Sequence, residues 1–276
     1  MNLVVQGPGL AEQEAQALVP LVGAARVEAI ATCAFRIRNA TPNPAVARWA
    51  EQREIDYAFI PEGRRFADLK LVAMDMDSTL INIECIDELG DLAGRKAEIA
   101  GITAQAMRGE IEYRESLRRR VRALCGLSED SLMQVYEQRL KLTPGAETLI
   151  GACKKHGVKL LLVSGGFTFF TGRLKQRLGI DYTISNVLEV KDGKLSGALL
   201  GEIVDAQAKA AKFLSVSAEL GATKEQSLAI GDGANDLKMM AEAGISVAFR
   251  AKPVVRAQAT CALNWSGLDA VVNLLE

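Results

Sequence analysis

The chain has 276 residues, enough for two domains or one large one. Its formal net charge of -1 gives no electrostatic case for nucleic acid or an anionic membrane surface, and no apolar run reaches the ~20 residues a membrane-spanning helix needs. The single histidine, His156, precedes Gly157 at an expected helix end, which removes serine–histidine–aspartate chemistry and most zinc sites.

The first 15 residues carry no Lys or Arg, and Glu12 and Glu14 interrupt any apolar stretch, so no secretory leader is expected. Cys33, Cys85, Cys125, Cys153 and Cys261 are scattered and form no Cys-x-x-Cys pair, which argues for reduced thiols in a cytoplasmic protein. Residues 1–66 read as a small separate unit. A short strand at 3–5 is broken by Gly7-Pro8-Gly9, and apolar spacing predicts a helix over 11–22. Two short strands follow over 27–38, with a break near Thr32-Cys33. Asn43-Pro44 then starts a helix over 45–52, and a strand covers 56–60. The order β-α-β-β-α-β is ferredoxin-like. It resembles the ACT-type small-molecule-binding domain, with a packing or homodimerisation module as the alternative. Residues 61–65 read as a linker.

Residues 67–276 form the larger unit. The apolar run 71–74 lacks alternation, reads as a buried parallel strand, and ends in Asp75-Met76-Asp77. Helical spacing then dominates from Glu84 to about 140, with breaks at Gly109 and at Gly126-Leu127-Ser128, where Ser128 is the expected helix cap. This stretch reads as a helical cap inserted after the first strand. Helices are expected over 144–156, 167–178, 206–220 and 237–243, with a last one closing the chain. Strands are expected over 159–163, 182–185, 227–230 and 246–249. Lys191-Asp192-Gly193-Lys194 turns a hairpin between 187–190 and 195–199. Such alternation implies an α/β fold, a Rossmann-like parallel sheet with helices on both faces.

Four polar groups fall at strand or helix ends: Asp75 with Asp77, Ser164-Gly165-Gly166, Lys209, and Gly231-Asp232-Gly233-Ala234-Asn235-Asp236. In a parallel sheet such ends share one edge and can converge. Carboxylates are hard ligands for Mg²⁺, while a hydroxyl, open backbone N–H groups and an ammonium suit a phosphoryl group.

This set, in this order, resembles the haloacid dehalogenase superfamily of phosphotransferases over residues 71 to about 265. Glu84 and Arg120 narrow the likeness to members acting on O-phosphoserine, in the last step of serine biosynthesis. The resemblance implies Asp75 as nucleophile and Asp77 as general acid–base. It implies Mg²⁺ held by Asp75, the Asp77 backbone carbonyl and Asp232. Ser164, Gly165 and Lys209 would bind the phosphoryl group, with Asn235 and Asp236 supporting them. Glu84 would take the substrate ammonium and Arg120 its carboxylate. Lys212 remains an alternative to Lys209, and Arg118 and Arg119 to Arg120. Read from the residues alone, Ser164 could simply cap a helix and Glu84 could be a first-turn glutamate. A different small phosphomonoester, or a receiver-like phosphoacceptor role, are the competing functions.

Overall fold

The computed structural model describes residues 1–24 and 26–276. Strands β1 (Asn2–Gln6), β2 (Arg26–Ala31), β3 (Ala34–Arg38) and β4 (Asp56–Ile60) come first, with helices Glu12–Gln16 and Ala45–Glu51 between them. The remaining strands are β5 (Leu71–Asp75), β6 (Lys159–Phe167), β7 (Tyr182–Lys191), β8 (Lys194–Leu200), β9 (Ser227–Gly231), β10 (Ile245–Phe249) and β11 (Cys261–Leu263). Among the described residues they form one 11-stranded sheet in the order β2-β3-β1-β4-β11-β10-β9-β5-β6-β7-β8.

The stretch from β11 to β7 is parallel. Every residue of β5, β9 and β10 is buried, as expected of parallel strands covered on both faces. Alternate residues of β5 serve different layers. Val72 and Met74 pack toward helices Ala146–His156 and Thr168–Leu178, whereas Leu71 and Ala73 pack toward Phe213 and Val216 of helix Ala206–Glu219.

Several expectations need correction. The sheet is mixed rather than parallel throughout, because β8 and the first four strands pair antiparallel. The N-terminal strands continue that sheet through β11, a strand the sequence reading lacked, by the pair Tyr57↔Ala262. The helix expected over 11–22 stops at Gln16. Pro20 has no N–H to return to Gln16, and the chain tightens into turns, Leu18 N–H donating to Ala15 O and Val19 N–H to Gln16 O. The two strands expected over 182–190 are one, β7. Asp192 and Gly193, both with φ above +50°, turn it into β8 as a two-residue hairpin requires.

The cap is four helices, Cys85–Leu92, Lys96–Met107, Tyr113–Ala123 and Asp130–Gln138, with a further break at the left-handed Gly94. Ser128 supplies the expected capping contact, its hydroxyl oxygen accepting from Asp130 N–H at 3.3 Å. Glu129, between it and the helix, is already helical, and the Ser128 backbone pairs with Lys194 at the hairpin. Where the cap leaves and rejoins the sheet, Ile81 pairs with Leu142. Asn82 N–H also donates to Lys141 O at 3.0 Å, and Lys141 N–H to the Asn82 side chain at 2.9 Å.

The first and last segments of the chain are fastened together. Arg36 is buried and donates to the carbonyls of Asn273 and Leu275 at 3.0 and 2.7 Å. Asp56, 1% exposed, accepts from the backbone N–H groups of Asn264, Trp265 and Ser266 at 2.6, 3.2 and 2.8 Å. Burial pushes its carboxyl up, and those same N–H groups pull it back. Truncating Asp56→Ala leaves three partly buried donors unpaired. It should cost about 3 kcal/mol in urea unfolding without touching the Asp75 end of the sheet, and a loss below about 0.5 kcal/mol would show the seam to be unimportant.

Candidate active site

The chain reverses direction beside β5. β6 lies on one side of it and β9 on the other. Ligands bind beyond the carboxyl ends of strands at such a switch point. Asp75 is the last residue of β5 and Asp232 follows the last residue of β9. By strand parity Asp75 falls on the same face as Leu71 and Ala73, the face covered by helix Ala206–Glu219, which carries Lys209.

Lys209 is 1% exposed, and its ammonium lies between two carboxylates. It donates to Asp75 Oδ1 and, at 2.7 Å, to Asp236 Oδ1. Asp236 accepts in addition from Gly233 N–H at 3.1 Å. Carboxylate oxygens of Asp75, Asp232 and Asp236 lie within 4.8 Å of one another. Lys212 instead approaches the face of Tyr182, 5.9 Å from the ring centre. Asn235 is half-buried and leans on Gly233, where a Cβ would strike its side-chain oxygen.

Asp77 enters the same pocket by way of Ser78, which adopts a left-handed φ of 56°. That conformation is uncommon for a residue with a Cβ, and here the surrounding bonds hold it. Ser78 N–H donates to Ile83 O at 3.2 Å and Ile81 N–H to Met76 O at 3.0 Å. The Asp77 carboxyl accepts from Cys85 N–H at 2.8 Å and from the Ser164 hydroxyl at 3.1 Å. Ser164 Oγ accepts in turn from Gly166 N–H at 2.8 Å. Ser164-Gly165-Gly166 belongs to β6 itself, which runs on to Phe167.

Electrostatically the pocket is short of positive charge. Burial pushes the Asp75 carboxyl well above the ordinary range. Lys209 pulls it back, and Asp236, Asp232 and Asp77 push it up again. Burial likewise raises Asp77 against the hydrogen bonds from Cys85 and Ser164. Asp232 is pushed up to about 6, by burial first and Asp236 second. Burial opposes the Lys209 charge, but the Asp236 and Asp75 carboxylates outweigh it and hold the ammonium charged. Four carboxylates facing one ammonium call for a further cation or for protons. An all-oxygen donor set of this kind fits a hard divalent ion.

The cap supplies the other wall. Tyr113 opens helix Tyr113–Ala123 and lies over Gly165, where any Cβ would meet its hydroxyl. Seven residues on, Arg120 is half-buried and its Nε is enclosed without a hydrogen-bond partner, as a side chain awaiting an anion would be. Arg118 and Arg119 point to solvent, and Arg119 is taken up by Glu115 at 2.7 Å. Glu84 accepts from the Ser78 hydroxyl at 2.7 Å. Its side chain keeps contact with solvent, yet the protein crowded around it strips enough water to push its carboxyl up to about 7, with Asp77 the next cause. Arg114 pairs with Asp205 at 2.6 Å, tying the cap to the residue that caps the Lys209 helix.

Asn186 has no place among the sequence candidates. It is 2% exposed on β7, donates to Gly165 O at 2.8 Å and accepts from Val204 N–H at 2.8 Å. Its neighbours Thr183, Ser185 and Glu189 are polar too, so the strand pattern carried no signal that singled it out. A groove of about 620 Å³ lies elsewhere, over the β4–β11 seam. The one buried carboxylate there, Asp56, is already saturated by backbone donors.

Comparison with known proteins bears on the family of the chain. Residues 72–241 match the family model for haloacid dehalogenase-like hydrolases, and residues 3–46 match one for a domain of unknown function. A phosphoserine phosphatase from Polaromonas sp. is 56% identical over 217 residues, 77% of this chain and 92% of that protein. The unliganded crystal structure of a probable phosphoserine phosphatase from Vibrio cholerae superposes with a TM-score of 0.86 at 36% identity, covering 99% of this chain and 86% of that one. A substrate-bound phosphoserine phosphatase complex gives 0.71 at 36% identity, over 75% and 99% of the two chains.

The raised carboxyls fix a pH dependence. A folded chain that holds protons the unfolded chain has released above about pH 4 loses stability as pH rises. The cluster's contribution is therefore greatest at low pH and is lost as pH climbs through about 6 at Asp232 and about 7 at Glu84. Metal-stripped protein should melt at a lower temperature at about pH 7.5 than at about pH 5, and Mg²⁺ should restore the loss. A flat profile indifferent to Mg²⁺ would contradict this.

Proposed function

Because the chain belongs to the haloacid dehalogenase-like hydrolase family, we propose that it is a magnesium-dependent phosphatase of O-phosphoserine, releasing serine and inorganic phosphate. The observation that carries this is the buried Lys209 ammonium clasped by Asp75 and Asp236, with Asp232 alongside and Ser164 joined to Asp77.

Asp75 is the nucleophile. Its carboxylate attacks phosphorus, the bond from phosphorus to the serine oxygen breaks, and an aspartyl-phosphate forms. Asp77, whose carboxyl is raised by burial and so suited to carrying a proton, gives that proton to the departing alkoxide. It then takes one from the water that attacks the aspartyl-phosphate, which frees phosphate and returns Asp75 to its starting state. Ser164, the Gly165 backbone and Lys209 stabilise the phosphoryl oxygens as charge redistributes. Mg²⁺ would be held by Asp75, Asp232 and the Asp77 carbonyl, where it would offset the repulsion between carboxylate and phosphate dianion. Asp236 orients Lys209, and Asn235 supports the turn that carries Asp232 and Asp236.

Glu84 pairs with the substrate ammonium and Arg120 grips its carboxylate through a two-pronged contact. The enclosed, unpartnered Arg120 Nε supports Arg120 over its exposed neighbours. The family match starts at residue 72, which supports a boundary near residue 66 between an N-terminal unit (1–66) and the phosphatase unit (67–276) with its cap over about 84–140. The strand order β2-β3-β1-β4 supports an ACT-like reading of the first unit. Its role is regulatory or dimerising, since β2 leaves one sheet edge unpaired. Five free cysteines fit a reducing, cytoplasmic setting.

Phosphate release from O-phosphoserine with Mg²⁺ tests the reading. Asp75→Asn should abolish it, by at least about 1000-fold in kcat, and retained turnover would remove Asp75 as nucleophile. Arg120→Ala should lower kcat/KM for phosphoserine by about 30-fold while sparing phosphomonoesters that lack a carboxylate. Equal losses on a panel of both kinds would favour another small phosphomonoester as substrate. A stable phosphoprotein without multiple turnover would favour a receiver-like role.

A further inference from the structure

The phosphoryl pocket is assembled from two arms that are far apart in sequence. One is the end of β6, with Ser164 and the Gly165 backbone. The other is Lys209, on the helix that Asp205 caps right after Val204. The Asn186 side chain spans the gap between them. Its Nδ2 donates to Gly165 O and its Oδ1 accepts from Val204 N–H, both at 2.8 Å, and the residue is 2% exposed.

The contact on Gly165 reaches further than one bond. The Gly165 carbonyl and the Gly166 N–H belong to one planar trans peptide and point to opposite sides of it. Fixing the carbonyl therefore aims the N–H. That N–H donates to Ser164 Oγ, which obliges the Ser164 hydroxyl hydrogen to go elsewhere, and it goes to Asp77 Oδ2. From Asn186 the orientation passes through one peptide plane to Ser164 and on to the proposed acid–base.

We propose that Asn186 is a positioning residue for phosphoryl transfer. It sets the angle of the Gly165–Gly166 peptide and its spacing from the start of the Lys209 helix, so both arms meet the phosphoryl group in register. The proposal rests on the phosphatase reading above. No other residue type of that size serves both ends. An aspartate can accept from Val204 but turns a second oxygen on the Gly165 carbonyl, and an aliphatic side chain leaves both backbone groups unpaired.

The experiment compares wild type with Asn186→Asp on O-phosphoserine at saturating Mg²⁺, with melting temperature as the check on folding. Misplacement of the phosphoryl arm should lower kcat roughly 10- to 100-fold. KM should stay within about threefold, because Glu84 and Arg120 hold the other end of the substrate. Only a protonated aspartate can donate to Gly165, so the variant-to-wild-type ratio of kcat should rise as pH falls. A merely structural defect has no reason to show that recovery. If Asn186→Asp does not fold, Asn186→Ser carries the test through the same split between kcat and KM. Activity within about twofold of wild type, or a loss equal in kcat and KM and constant with pH, would overturn the proposal. Wild type that releases no phosphate would instead sink the phosphatase reading on which it stands.

Discussion

A single buried ammonium organises this molecule. Lys209 reaches from one helix to carboxylates at the ends of two strands, Asp75 closing β5 and Asp236 in the turn after β9. Burying three charges is expensive, and an apolar trio of similar volume would stabilise the fold better. The arrangement is therefore a cost to stability whose return lies in chemistry. It keeps two acidic strand ends together that would otherwise repel, and aims them into a space where an oxygen-loving cation and a phosphoryl group can meet. The strand order supplies the geometry, because β5 and β9 are neighbours at the point where the winding reverses.

The cap completes the site from above. Its backbone leaves and rejoins the sheet through the Ile81–Leu142 pairing, a narrow double-stranded neck. Beyond it, helix Tyr113–Ala123 brings Tyr113 over Gly165 and sets the enclosed edge of Arg120 on the same side. The contacts of this helix with the phosphatase sheet include an ion pair with a half-exposed arginine, Arg114–Asp205, which water screens and which can open at little cost. Backbone bonds to the β7–β8 hairpin, Gly126 N–H to Leu195 O and Leu195 N–H to Leu127 O, both at 2.9 Å, hold the cap over the site, where it excludes water. The opposite end of the sheet is built for permanence, with buried Arg36 fastened to the carbonyls of Asn273 and Leu275 and buried Asp56 saturated across the β4–β11 seam.

Much of the site was legible because its chemistry sits at punctuation. Asp75, Ser164 and Asp232 each follow an apolar run at a strand end, and strand ends on one edge must converge. Arg120 is half-buried where Arg118 and Arg119 face solvent, and Lys209 is buried where Lys212 lies against Tyr182, differences of helical phase that only three dimensions show. The joining of the two units was hidden. β11 is three residues long, and its pairing with β4 depends on Asp56 gathering N–H groups more than 200 positions away. The shortening of the first helix was readable from Pro20 and was outweighed by the spacing of alanines and leucines around it. Asn186 was missed for a different reason. Its partners are backbone groups, and nothing in residue identities marks which buried carbonyl an amide will find.

The most direct test of the account is the chemical fate of Asp75. Wild-type enzyme mixed with O-phosphoserine labelled in its phosphate and quenched in acid within a turnover should carry hydroxylamine-sensitive label on the peptide that contains Asp75. Phosphate released with no label on the protein, or label on a peptide from any other part of the chain, would contradict it.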